Sequence, residues 1–301
     1  MDFLRLLEEI RTPFLTAINS FFTFCAEEYI LLVLLCMFFW CISKKIGYRM
    51  GFAYMGSATT VHSLKLIFRV DRPWILDPDF KPVESAVPNA TGYSFPSGHT
   101  NAATSMYGAI AFSIKKYWAK ILLFVLIGAV MFSRMYLGVH TPADVLAGFG
   151  VSLLITVIVC IIDSKVRMTK KNKIIICIGF ILYAAAAFVF CLILSGKGII
   201  ESKYVVDCAK TSGSTIGFVF GWYIETTYIN FSEKTEKWWQ QLIKIAIGAA
   251  VIVGIKVGIK EAAIAIFTEE PIAIAAIRYG LMVFFGVAVY PIFIRKYFNK
   301  Q

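Results

Sequence analysis

Histidine is scarce in this chain, at 3 of 301 residues. Acid is scarce too: 19 Asp and Glu stand against 30 Lys and Arg, and only 16% of the residues are charged. No Cys-x-x-Cys pair occurs, and no Cys/His or Asp/Glu/His grouping has metal-ligand spacing, so no metal is expected. Cys36, Cys41, Cys160, Cys177 and Cys191 fall inside apolar runs and read as packing residues. Cys25 and Cys208 are placed for an outer face, but no pattern pairs them. The opening "MDFLRLLEEIRTPFLTAINSFF" lacks the basic start and small-residue cleavage site of a secretory signal.

What fills the chain instead is apolar sequence. Hydrophobic residues make up 58%, and the mean hydropathy is +0.72, above the range of soluble domains. Runs such as "YILLVLLCMFFWCI" and "ILLFVLIGAVMF" are nearly free of charge and near bilayer length. The expected fold class is an all-α polytopic membrane protein. A net charge of +11 would suggest a nucleic-acid partner in a soluble protein. Here the positives gather in short loops between apolar runs, which suits cytoplasmic loops and anionic lipid headgroups, so nucleic acid is excluded as a partner.

Residues 1–24 predict an interfacial helix: Phe3, Leu6, Leu7, Ile10, Phe14 and Ile18 recur at helical spacing, with Arg5, Glu8, Glu9 and Arg11 on other faces. Apolar segments follow at 28–43, 50–68, 99–114, 118–135, 142–162, 174–195, 213–230, 241–267 and 272–294. That makes about nine spans. Basic clusters follow alternate spans: Lys44, Lys45 and Arg49; Lys115, Lys116 and Lys120; Lys165, Arg167, Lys170, Lys171 and Lys173; Lys234 and Lys237; Arg295, Lys296 and Lys300. They fall on one side, expected to be cytoplasmic. The opposite face then holds the loop 69–97, the turn 133–144, the loop 196–212 and Glu269–Glu270.

Three polar clusters converge on that outer face. One is "KLIFRVDRP", with Lys65, Arg72 and Pro73. The second is Pro96-Ser97-Gly98-His99, and the third runs from Ser133 and Arg134 to His140 and Asp144. Three cations suit phosphate oxygens, Arg as a bidentate fork and Lys as a point charge. Ser97 and Gly98 open a helix, where backbone N–H groups favour an anion. Two histidines suit a two-step reaction, one as nucleophile and one as acid. Asp144, four residues after His140, is placed to orient its ring. Each element also has a plainer reading. The cations read singly as residues snorkelling at helix ends. Thr141-Pro142-Ala143-Asp144 reads as a helix cap with Pro at N1 and an acid at N3, and Pro96-Ser97 as a helix start.

The order K-x6-RP, PSGH, SR-x5-H-x3-D resembles the signature of the type-2 phosphatidic acid phosphatases, or lipid phosphate phosphatases, and residues 1–165 carry it. The resemblance implies a helical bundle without a metal or cofactor. It implies His140 as nucleophile, His99 as general acid and Asp144 as orienter. Lys65, Arg72, Ser97, Gly98 and Arg134 would hold the phosphate. The substrate would be a lipid phosphate monoester or polyprenyl diphosphate, cleaved at the outer face of a bacterial plasma membrane through a phosphohistidine. The alternative is a lipid-phosphate binding or transport protein without turnover. Intact His99, His140 and Asp144 weigh against it, because binding alone needs only cations.

Residues 166–301 lie beyond the signature and resemble the transmembrane extensions of long bacterial members. They predict about four spans with few polar residues. Gly217 and Gly221 predict close helix packing. Glu225 is either an intramembrane functional acid or an interfacial residue near Lys234 and Lys237. His62 matches no motif position and reads as a packed or cavity-facing polar residue.

Overall fold

A computed structural model describes residues 1–268 and 270–298. Glu269 and Lys300, named above for topology, lie outside the described residues. Among the described residues helices are the only regular secondary structure. In chain order they are α1 (Asp2–Glu9), α2 (Pro13–Phe24), α3 (Glu28–Met37), α4 (Lys44–Phe68), α5 (Pro73–Leu76), α6 (Gly98–Ser113) and α7 (Tyr117–Tyr136). Then follow α8 (Pro142–Lys165), α9 (Lys170–Gly196), α10 (Ser202–Ile224), α11 (Trp238–Phe267), α12 (Ile272–Phe284) and α13 (Tyr290–Tyr297). Five-residue π turns extend α3 over Phe38–Ile42 and α10 over Glu225–Ile229, and link α12 to α13 over Phe285–Val289.

The single helix expected over 1–24 is two. Proline lacks an N–H and clashes with the preceding turn, so it is tolerated only at a helix start. Pro13 takes that position, and Thr12 caps α2 by accepting from the Leu15 N–H at 3.3 Å. Leu4 and Leu7 pack on Phe80. Phe3, Leu6, Ile10 and Phe14 stay exposed, as an interfacial face requires.

The apolar segments are helices, but not all cross a membrane by length and composition alone. Five do: α7, α8, α9, α11 and the continuous Ile272–Tyr297. The bent pair Pro13–Phe24 and Glu28–Ile42, at 47°, makes six if taken as one span. The shortfall against nine has a physical cause. The helix α6 is short, at 16 residues, and α4, α6 and α10 bury hydroxyls and an amide, among them Ser57, Thr59, Asn101, Thr104, Ser105, Ser212 and Thr215, which lower their hydropathy. In α4 and α6 the same residues place polar groups behind the clusters read from the sequence.

The chain forms two compact units: residues 1–32 with 52–162, and 33–51 with the described part of 163–301. The sequence reading divides the chain at 165; the structural division also places 33–51 with the second unit, so that it falls inside α4. In the first unit α7 is packed by α1, α2 and α6. In the second, α10 packs on α9 and α12. There the backbones meet so closely that a Cβ on Gly213 would lie 2.0 Å from the Ala276 oxygen, and one on Gly217 2.2 Å from the Gly280 oxygen. Gly221, paired with Gly217 in the sequence reading, instead faces the Val287 side chain at 3.0 Å. Glu225 is fully buried. It pairs with Lys44 at 3.2 Å, accepts from Tyr48, and accepts from the Phe231 N–H at 3.1 Å. Lys244 is buried in α11, donating to the Trp40 carbonyl at 2.6 Å and the Glu233 carbonyl at 2.9 Å.

Candidate active site

The site begins where α6 begins. Ser97 is its cap, and its Oγ accepts from the Thr100 N–H at 3.4 Å. The Ser97 N–H donates to the Asp144 carbonyl at 2.9 Å, which ties this turn to α8. The approach leaves no space for a side chain on α8: a Cβ on Gly148 would lie 2.8 Å from the Ser97 oxygen. The opposite holds at Gly98, where a Cβ would meet nothing within 4 Å. The mouth of α6 is therefore fixed from behind and open in front, as an anion site at a helix N-terminus requires.

His140 comes from the turn between α7 and α8. Gly138 makes that turn with φ +76°, and a Cβ there would also sit 2.8 Å from the Phe80 ring. The Asp144 Oδ2 accepts from the Thr141 N–H at 2.7 Å and from the Ser94 Oγ at 2.6 Å, and lies 3.5 Å from His140 Nδ1. One oxygen thus caps α8 and also faces the imidazole. Arg72 Nη1 lies 3.0 Å from Nε2 and 3.5 Å from Nδ1. Guanidinium only donates, so its shorter contact and the nearby carboxylate are both met by the tautomer with its proton on Nδ1 and with Nε2 as acceptor. His140 is 1% exposed. Burial lowers its pKa well below the usual histidine value, and Arg72, Arg134 and Lys65 lower it further. A neutral ring is what a nucleophile needs.

The three cations are not equivalent. Arg72 donates to the carbonyls of Thr91 at 2.8 Å, Gly92 at 3.0 Å and Val139 at 2.8 Å. Lys65 donates to the carbonyl of Tyr93 and reaches that of Ser94 at 3.5 Å. These two residues hold the strand of chain leading into PSGH. Arg134 differs. It is 0% exposed, its Nη1 reaches only Thr23 Oγ1 at 3.5 Å, and its Nε and Nη2 have no partner. Buried, unpaired charged donors are costly, and two on one guanidinium present the fork that matches phosphate oxygens.

Sequence comparison bears on this geometry. Residues 46–168 match the PAP2 superfamily, and residues 209–300 match the transmembrane extension of PAP2 superfamily phosphatases. The chain belongs to the PAP2 superfamily. It is similar to the phosphatidylglycerophosphatase B of Bacillus subtilis, 32% identical over 36% of this chain and 57% of the relative. It is also similar to the undecaprenyl-diphosphatase BcrC of the same organism, 32% identical over 31% of this chain and 45% of the relative. The chain thus spans about half the length of the curated relatives it matches. Among solved structures, the PAP2-type phosphatidylglycerolphosphate phosphatase of Bacillus subtilis aligns with 28% identity and a TM-score of 0.48, over 56% of this chain and 85% of its own.

Within this PAP2 chain, Lys65, Arg72, Ser97, Gly98, His99, Arg134, His140 and Asp144 all lie in the first unit, at or beside the ends of α4, α6, α7 and α8. His62 lies partly buried on α4, within one turn of Lys65. Four further residues were not read from the sequence. Ser94 bonds Asp144, and Gly148 lets α8 reach Ser97. Thr23 reaches Arg134, and its hydroxyl lies 2.9 Å from Ser133 Oγ. Glu27 Oε1 lies 3.5 Å from His99 Nε2. Ser94 stands two residues before Pro96, and a hydroxyl just ahead of PSGH was the available signal. Thr23 and Glu27 come from the N-terminal helices, far away in sequence, and carried no signal.

Proposed function

We propose that this protein is a membrane phosphatase that removes the terminal phosphate of a lipid phosphate monoester or polyprenyl diphosphate. The observation that carries the reading is the buried Arg134 with two unpartnered donors, in electrostatic range of the neutral nucleophile His140. The names of the relatives, a lipid-phosphate and a lipid-diphosphate phosphatase, support the substrate class. Lipid phosphates would enter at the face opposite the basic loops, the extracytoplasmic one. Residues 1–165 would carry the reaction and residues 166–301 would form the extension.

In the proposed reaction the phosphate occupies the Arg134 fork and the mouth of α6. Arg72 Nη1 turns from His140 Nε2 onto the bound phosphate, the freed Nε2 attacks phosphorus in line, and the P–O bond to the lipid breaks as the P–N bond forms. His99 gives its proton to the leaving alkoxide. Asp144 and Ser94 hold Nδ1–H while the ring gains positive character. In the second step neutral His99 takes a proton from water, the water oxygen attacks phosphorus, and the P–N bond breaks to release phosphate and restore His140. Charge on the equatorial oxygens is met by fixed donors throughout.

The test is a rapid quench in denaturing detergent at alkaline pH with a lipid carrying labelled terminal phosphate. Wild type should trap acid-labile, base-stable label on protein, and His140→Ala should trap none and turn over no substrate. Normal turnover by His140→Ala would remove the nucleophile and with it this reading.

A further inference from the structure

A second histidine–carboxylate pair stands across the site from His140 and Asp144. Glu27 lies in the corner between α2 and α3, outside the residues that match the PAP2 superfamily. Its Oε1 is 3.5 Å from His99 Nε2 and accepts from Asn89 Nδ2 at 2.9 Å. An acid at this position, just before a helix, would ordinarily serve the N–H groups of that helix. Glu27 does so only through its backbone, whose carbonyl accepts from the Leu31 N–H at 3.1 Å. Its side chain is turned the other way, toward His99, and Asn89 from the loop before PSGH holds it there.

We infer that Glu27 is the positioning residue of the proposed acid: it fixes the His99 ring and stabilises the imidazolium that must protonate the leaving group. The inference rests on the phosphatase reading above. His99 needs such help because burial disfavours the charged ring, and Arg134 and Arg72 beside it disfavour a third positive charge. A carboxylate against Nε2 holds a proton on that nitrogen and leaves Nδ1–H for the substrate. In the first step Nδ1 passes its proton to the alkoxide oxygen as the P–O bond breaks, leaving neutral His99 with Nε2–H on Glu27. In the second step Nδ1 recovers a proton from the attacking water. Glu27 stays ionised throughout.

Leaving groups give a readout that a structural role does not move. A lipid alkoxide needs a proton, whereas a nitrophenolate leaves without one. The full-length protein in detergent is assayed on a lipid phosphate and on an aryl phosphate, as wild type, Glu27→Gln, Glu27→Asp, His99→Ala and His140→Ala. Glu27→Gln should lose about 30-fold or more in kcat on the lipid and less than about 3-fold on the aryl ester. Its basic limb for the lipid should move to lower pH by about 1 unit, because the imidazolium loses its counter-charge. Glu27→Asp should recover part of the loss. Equal losses on both substrates with an unmoved basic limb, or wild-type behaviour of Glu27→Gln, would overturn the inference. The controls separate this from failure of the reaction itself. An active His140→Ala overturns the phosphatase reading whatever Glu27 does. A His99→Ala without leaving-group selectivity overturns the acid assignment and Glu27 with it.

Discussion

Arg134 has given up water on every side and found one long contact, to Thr23, in exchange. A charge in that condition is stabilised by any tetrahedral oxyanion that reaches it. Vanadate or phosphate should therefore raise the melting temperature of the wild-type protein. At 100 times Kd the stabilisation is about 2.7 kcal/mol. Arg134→Ala should show no such shift, and Arg134→Lys only a small one, because an ammonium cannot offer the fork. A full vanadate shift in Arg134→Ala, followed by differential scanning in detergent, would place the anion elsewhere. His140 gives a second prediction at this scale. With 3 histidines in the chain, ring-labelled protein gives a resolvable NMR titration. The His140 signal should titrate well below the usual 6.5, or stay neutral through the accessible range. The sign for stability follows. The unfolded chain binds this proton first, so the neutral ring stabilises the fold above about pH 6.5, and the gain is lost as pH falls. The residues read from the motif spacing were legible because each cluster sits within one short segment. The division of labour among the cations was not. Nothing in "RVDRP" says that Arg72 is occupied by the carbonyls of Thr91, Gly92 and Val139, since those partners come from folding.

Helices were the legible elements, because long apolar runs permit little else in a bilayer. Their ends were less so. The break at Thr12-Pro13 was written in the sequence as a cap followed by proline, but the continuous apolar stripe masked it. The start of α10 at Ser202 lies 11 residues before the apolar segment at 213, because Lys203, Asp207 and Lys210 hide helix from a hydropathy reading. Register between helices was not legible at all, and glycines reveal why it matters. Gly148→Ala would put a methyl 2.8 Å from the Ser97 oxygen, which is backbone and cannot swing away. The PSGH turn must then move against α8. Overpacking of this kind costs about 1–3 kcal/mol. The activity loss should be larger than that cost suggests, because Ser97 and Asp144 share the displaced contact. Gly213→Ala meets backbone even more closely, at 2.0 Å from the Ala276 oxygen, but far from the motif in sequence and in the other unit. It should lower the melting temperature by several degrees or more while the kcat of the folded fraction changes little. Measuring both quantities on both variants separates them. A Gly148→Ala enzyme with wild-type kcat would show that the Ser97–α8 contact does not set the site.

For the whole molecule the question is how a lipid reaches charges that water does not. The motif residues cluster at helix ends: His99 is the second residue of α6, Arg134 lies two residues before the end of α7, and Asp144 is the third residue of α8. Around them the same unit shows apolar surface outward, including Phe14, Phe21 and Phe24 on α2, Leu122 and Val125 on α7, and Leu146 and Leu154 on α8. That surface suits acyl chains. Drawing two such chains into water costs about 0.8 kcal/mol per CH₂, tens of kcal/mol in all, so a substrate that kept its tails in the bilayer would react far sooner. The phosphate should slide in sideways at headgroup level, from one leaflet only. The basic residues predict which: Lys115 and Lys116 between α6 and α7, Lys120 in the first turn of α7, Lys165 at the end of α8, Arg167 beyond it and Lys170 at the start of α9 mark the side opposite the motif ends. Proteoliposomes with every molecule oriented one way test both points. Substrate confined to the motif-side leaflet should be hydrolysed at once, and substrate in the other leaflet should wait for flip-flop. A short-chain soluble phosphate should compete poorly, since it forgoes the tail contacts. Equal immediate hydrolysis from both leaflets would overturn the topology, and a soluble substrate matching the lipid in kcat/KM would overturn lateral entry.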